Sequence, residues 1–215
     1  MDTMLTLIIT ATFQTLYMSV ISTLLASFIG FFLAVILILT SNDGLSPNRY
    51  VYATLDVIVN TLRSFPFIIL IIVLFPITKF VVGRYTGENA AIVPLTIGTA
   101  PFIARLIESA FKEVDRSIIE AARSFGASKV QIVFRVLLPE AFPSIILSIT
   151  LTLIIVIGFS AMAGAVGAGG LGAVAKQYGY DGFRADILFY TVVILIVMVQ
   201  CFQSIGNFIY KLIKH

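Results

Sequence analysis

No Asp, Glu, Lys, Arg or His occurs in residues 3–42, and none in residues 141–175. A helix crossing a bilayer needs about 20 predominantly apolar residues, so each of these two runs is long enough to contain a crossing. A chain with two such runs cannot cover itself with a water-facing surface. Only 12% of its residues are charged and the mean hydropathy is +1.06, where a soluble domain carries about a quarter charged residues. The sequence is therefore that of an integral membrane protein. The net charge of +3 says little by itself; where the charges lie says more, and no nucleic-acid partner is implied.

Apolar runs predict five spans, at residues 17–39, 57–81, 89–106, 143–163 and 187–209. Residues 1–16 read as an apolar, hydroxyl-rich helix that lies at the interface or leads into the first span. Arg63, Pro66 and Pro76 in the second span predict kinks there. The architecture expected is all-α, as one transmembrane domain over residues 1–215. An odd number of spans puts the ends on opposite sides. With the C-terminus inside, the cytoplasm receives Arg49, Arg105, Lys112, Arg116, Arg123, Lys129, Arg135, Lys211 and Lys214. The outside receives Lys79, Arg84, Lys176 and Arg184. Positive residues concentrate on cytoplasmic loops, so the N-terminus is expected outside and the polar segment at about 108–142 inside.

That segment is the polar island of the chain. Ser117 and Glu120 are spaced as a capping box, predicting a helix from near Ile118. Gly126 is placed to end it, because glycine accepts a left-handed backbone. Ser128 and Gln131 form a second box, and Pro139 is expected to close the segment. A helix of about eight residues is too short to stand alone in water and needs a docking surface. An ordinary amphipathic surface loop is the plain alternative.

The pattern Glu120-Ala121-Ala122, with Gly126 four residues on and Leu138-Pro139 beyond, resembles the EAA loop of ABC-importer permeases. In that family the loop supplies the coupling helix that enters a groove on a cytoplasmic ATPase. Further stretches resemble the methionine-importer permeases: residues 60–67, Pro101 to Arg105 with Glu108, residues 158–165, residues 169–172, Tyr178-Gly179-Tyr180, and Val199-Gln200 with Gln203. Together they run almost the full length. The resemblance implies the type I ABC importer permease fold, a homodimer, two ATPase subunits and an extracytoplasmic substrate-binding protein (a lipoprotein in many cells). It also implies a place in the bacterial cell (inner) membrane and methionine, its D-isomer and derivatives included, as cargo. ATP and magnesium would be bound by the partner ATPase, and this chain would hold no cofactor. The subfamily pattern carries tyrosine where this chain has Phe159, which removes a hydroxyl.

Other residues carry weaker expectations. Phe159, Ser160 and Met162 lie beside small residues that allow close helix approach, and with the resemblance they are candidates for the translocation pathway and its gate. The glycine-rich stretch 164–172 reads as an outer rim or simply a turn, with Tyr178 and Tyr180 as rim contacts. Arg63 and Arg105 are expected near cytoplasmic span ends, snorkelling to headgroups or, for Arg105, pairing with Glu108. Cys201 reads as a buried small hydrophobe, and His215, the one histidine, cannot build a metal site.

Other function classes fit less well. No Gly-x-x-x-x-Gly-Lys-Ser/Thr phosphate loop is present, so ATP hydrolysis would need a partner. The first, fourth and fifth spans carry no ionisable residue of the kind a stand-alone secondary transporter uses. An intramembrane metallo- or serine hydrolase would need histidine. A permease for another amino acid or small organic solute stays open.

Overall fold

The computed structural model describes residues 2–214, all helix and connection; His215 lies outside the described residues. Helix α1, Asp2–Thr40, absorbs the first apolar run and the stretch before it. At 1.5 Å per residue it is about 58 Å long, nearly twice the hydrocarbon thickness. Residues up to 16 thus lead into the first span. Its inner face is small and hydroxylated, with Ser19, Ser22, Ala26 and Ala34 fully buried. Gly30 lets it cross α5 (Glu88–Lys112) closely: a Cβ there would stand 2.5 Å from the Ile103 side chain.

The second predicted span is not one rod. Helix α2, Arg49–Ser64, stops at the Phe65-Pro66 step, and α3, Phe67–Val73, leaves at 105° to it. Pro66 has no N–H to continue the ladder, and the residue before a proline is pushed out of the helical region; Phe65 is extended, at φ −70° and ψ 129°. A short α4, Phe75–Val82, follows. Among the described residues four helices are long and apolar enough to cross a bilayer, or five spans if the bent α2–α3 pair is counted as one.

After α5 comes a short α6, Arg116–Ser124, then α7, Lys129–Ile132. A π-helical turn, Val133–Leu137, joins α7 to α8, Leu138–Ala163, without a break. Pro139 therefore does not close the polar segment, contrary to expectation. It sits in the first turn of α8, where a missing N–H is tolerated, and the preceding Leu138 N–H reaches back five residues to the Val133 carbonyl.

Residues 164–172 form a turn, with Gly164, Ala168 and residues 170–172 buried and Ala165 and Gly167 exposed. The chain kinks at Gly167 (φ +102°), and α9, Gly170–Val174, returns against α8 and α1. The approach is backbone on backbone, since a Cβ on Gly172 would fall 2.1 Å from the Ala161 carbonyl oxygen. The Gly170 N–H donates to Gln14 Oε1 and the Leu171 N–H to Thr15 Oγ1, both at 2.9 Å. A π-helical turn, Ala175–Tyr180, leads to α10, Ala185–Ile213. Cys201 is exposed on α10, not buried.

The core has three parts along the bundle. Phe111, Ile132, Val133, Leu137 and Ala141 pack with α1 beneath the polar segment. Phe67, Leu70, Leu95 and Val156 fill the middle, and Ile157, Leu171, Val174 and Ile187 tie α9 and α10 to α8.

Candidate functional site

The polar segment is built by local hydrogen bonding. Helix α6 is capped by Asp115, whose carboxylate accepts from the Ser117 N–H at 2.8 Å. Ser117 is thus inside the first turn, and the expected Ser117–Glu120 box does not form. That same bond holds the Asp115 carboxyl below its ordinary value. At the other end the Gly126 N–H donates to the Arg123 carbonyl at 3.0 Å and the Ala127 N–H to the Ala122 carbonyl at 3.1 Å. This is a Schellman stop with its glycine at φ +78°. The second box is present: the Ser128 hydroxyl accepts from the Gln131 N–H at 3.3 Å, and Gln131 Oε1 accepts from the Ser128 N–H at 2.8 Å.

Two faces of α6 have different fates. Ile119 and Ala122 pack inward on the Phe111–Ile132 core. Ile118, Ala121 and Phe125, at helical spacing, face outward, with Phe125 92% exposed. The alanine pair is therefore split: Ala121 belongs to the open face and Ala122 to the chain's own packing. The Glu120 carboxylate is exposed and has no hydrogen bond or ion pair among the described residues. Two outer contacts steady the loop: Arg116 pairs with Asp43 at 2.8 Å and Lys129 Nζ donates to Ser46 at 3.0 Å. A short helix with an open apolar face and a free carboxylate has the chemistry of a docking element.

Above the loop, α2 and α5 are bound by a charge cluster. Glu108 is 2% exposed and accepts from Arg105 at 2.7 Å and from Lys112 at 2.6 Å. Tyr52 adds its hydroxyl at 3.3 Å, and Asp56 also pairs with Arg105. Arg105 therefore does not snorkel; its charge is neutralised within the bundle. Sequence reading found the Arg105–Glu108 pair and missed Tyr52 and Asp56. Their signal was a polar stripe on α2 at four-residue spacing, Tyr52, Asp56, Asn60 and Ser64.

The pathway candidates divide. Phe159 lies flat on Phe67, ring centroids 4.2 Å apart and planes 6° from parallel, so α8 and α3 meet through a stacked pair. Together they wall a cleft of about 580 Å³ whose polar side carries Asn60, Arg63 and Ser64. Ser160 is buried, its hydroxyl donates to the Ile157 carbonyl at 2.7 Å, and it does not line that cleft. Met162 is 48% exposed near the end of α8 and lies outside that cleft. Tyr178 and Tyr180 are exposed beside the start of α10, 37% and 75% respectively.

The family described as "Binding-protein-dependent transport system inner membrane component" matches residues 26–215. A relative from Vibrio cholerae serotype O1, named probable D-methionine transport system permease protein MetI, is 49% identical, covering 97% of this chain and 93% of its own. The methionine import system permease protein MetP of Bacillus subtilis is 47% identical, covering 94% and 91%. Among solved structures, an inward-facing form of the MetNI methionine ABC transporter superposes with a TM-score of 0.97 at 43% identity, over 99% of each chain.

Proposed function

Because the chain belongs to the family of binding-protein-dependent transport system inner membrane components, a multi-pass group with the type I ABC importer permease fold, we propose that it is the permease subunit of an ATP-driven methionine importer. Two copies would form the pathway across a bacterial cell membrane. Two ATPase subunits would dock beneath them, and an external binding protein would deliver the cargo. The reading places the N-terminus outside, the C-terminus in the cytoplasm, no catalytic residue in this chain, and ATP with magnesium on the ATPase.

The observation that carries this reading is the open face of α6, with Ile118, Ala121, Phe125 and the free Glu120. The methionine assignment is supported by the Vibrio and Bacillus relatives, whose names specify that cargo.

Coupling has a mechanical route. The Schellman stop at Gly126 and the capping box at Ser128 join α6 firmly to α7. From Lys129 the helix runs through the π-helical turn to Ala163 without a break, about 52 Å at 1.5 Å per residue. Phe159 and Met162 sit toward the far end of that rod. When ATP draws the two ATPases together, α6 is displaced, α8 moves with it, and the Phe159–Phe67 stack and Met162 open or close the pathway. Ser160, turned into the bundle, acts in packing the rod rather than in contacting cargo.

The test is uptake into proteoliposomes holding this chain, its ATPase and its binding protein. Radiolabelled methionine should accumulate only with internal ATP, and other amino acids should compete poorly. Accumulation by the permease alone, or none above an ADP control, would overturn the proposal.

A further inference from the structure

Arg63 is the charged residue that neither the coupling loop nor the charge cluster absorbs. It lies at the edge of the 580 Å³ cleft, its guanidinium carbon 5.8 Å from the centroid of the Phe102 ring. Phe102 is roughly 15 Å from the Lys112 end of α5 at 1.5 Å per residue. Arg63 thus stands well in from the Lys112 end of α5, beside an aromatic ring. Among the described residues no carboxylate pairs with it. The nearest acid along α2, Asp56, is committed to Arg105 and to Asn60 Nδ2. Within a membrane-spanning bundle a cation with no counter-ion is costly, and such residues face aqueous cavities where ions or substrates pass.

The cleft around it has a two-part chemistry. Phe67, Phe102 and Phe159 give it aromatic walls. Asn60 and Ser64 line its polar side. Asn60 gives one amide N–H to Asp56 and Ser64 gives its hydroxyl proton to the Asn60 backbone carbonyl, which leaves Asn60 Oδ1 and Ser64 Oγ as acceptors for a positively charged guest. The volume falls in the range of small-molecule sites, about 300–1,000 Å³.

We infer that Arg63 is a substrate-binding residue of the translocation pathway, holding the carboxylate of a zwitterionic amino acid whose apolar side chain lies against Phe67, Phe102 and Phe159. Arginine meets a carboxylate through two parallel charge-assisted hydrogen bonds, and the ammonium group would meet Asn60 and Ser64. The inference rests on the importer reading and deepens it by naming the ligand subsite.

The experiment uses the full transporter in proteoliposomes, with Cys201→Ser removing the exposed thiol and Ile155→Cys placing a reporter in the cleft wall. Alkylation of that cysteine by a small water-soluble maleimide is timed with L-methionine or L-methioninamide present. The amide keeps the ammonium and the side chain but lacks the carboxylate. Methionine should protect the cysteine at concentrations about tenfold lower than the amide, the scale of one lost charge-assisted bond. Arg63→Gln should abolish that preference, and Arg63→Lys should keep part of it. An Arg63→Gln protein that retains the full preference, or a cysteine that methionine never protects, overturns the inference. ATP-driven uptake is measured in parallel on the Arg63 protein. Uptake without protection defeats the subsite alone, whereas absence of uptake defeats the importer reading and the subsite with it.

Discussion

Gly126 carries the tightest local requirement in the polar segment. Its φ of +78° is a conformation that other residues enter at a cost of about 1–2 kcal/mol, although nothing lies within 4 Å of a Cβ there. The penalty is conformational and not steric. Gly126→Val should therefore leave the protein inserted while reducing substrate-stimulated ATP hydrolysis, and Gly126→Asn, which tolerates the left-handed region, should retain most of it. Asp115 gives a pH signature. Its carboxyl titrates below the ordinary aspartate value because the Ser117 N–H favours the charged form. Its cap is thus complete above about pH 4 and lost only as the pH falls through the lowered value. Amide-exchange protection in the first turn of α6, corrected for intrinsic rate, should be flat from about pH 5 to 8, where aspartate stays ionised. Asp115→Ala should lack that protection throughout, and Asp115→Asn should restore it.

Between elements, the Glu108 cluster is the firmest polar tie. Removing one partner from a buried ion pair strands the other charges and costs about 3–5 kcal/mol, so Glu108→Ala should lower the Tm in detergent markedly. Lys112→Ala should cost below about 1 kcal/mol, because that side chain is 50% exposed and water can replace its contact. A smaller effect of Glu108→Ala than of Lys112→Ala would contradict this account. The long helices were legible from charge-free runs alone, and Gly126 and Ser128 from local chemistry. Other features were not. Asp115 and Ser117 both have the chemistry of a cap, and only the backbone decides which one is used. Pro139 reads as a stop, but proline also suits a helix's first turn, and the π-helical turn before it selects that place. The Asp56–Arg105 pair joins residues 49 apart in sequence, and the inward fold of α9 depends on Gln14 and Thr15 across the bundle. Tertiary contacts made these choices.

At the scale of the whole molecule, a polar loop is tied by a continuous helix to an aromatic cleft walled by Phe67, Phe102 and Phe159. The open apolar surface of α10, from Phe189 to Leu212, suits lipid or a second copy. The central claim is that α6 is the surface through which an ATPase drives this chain. The direct measurement is the stoichiometry of ATPase co-purifying in mild detergent with the normal chain and with Ile118→Asp/Phe125→Asp, which alters only the outward face. The account predicts equal amounts of ATPase and permease for the normal chain, and an inserted, folded variant that elutes without its ATPase. Full retention of the ATPase by that variant would contradict it.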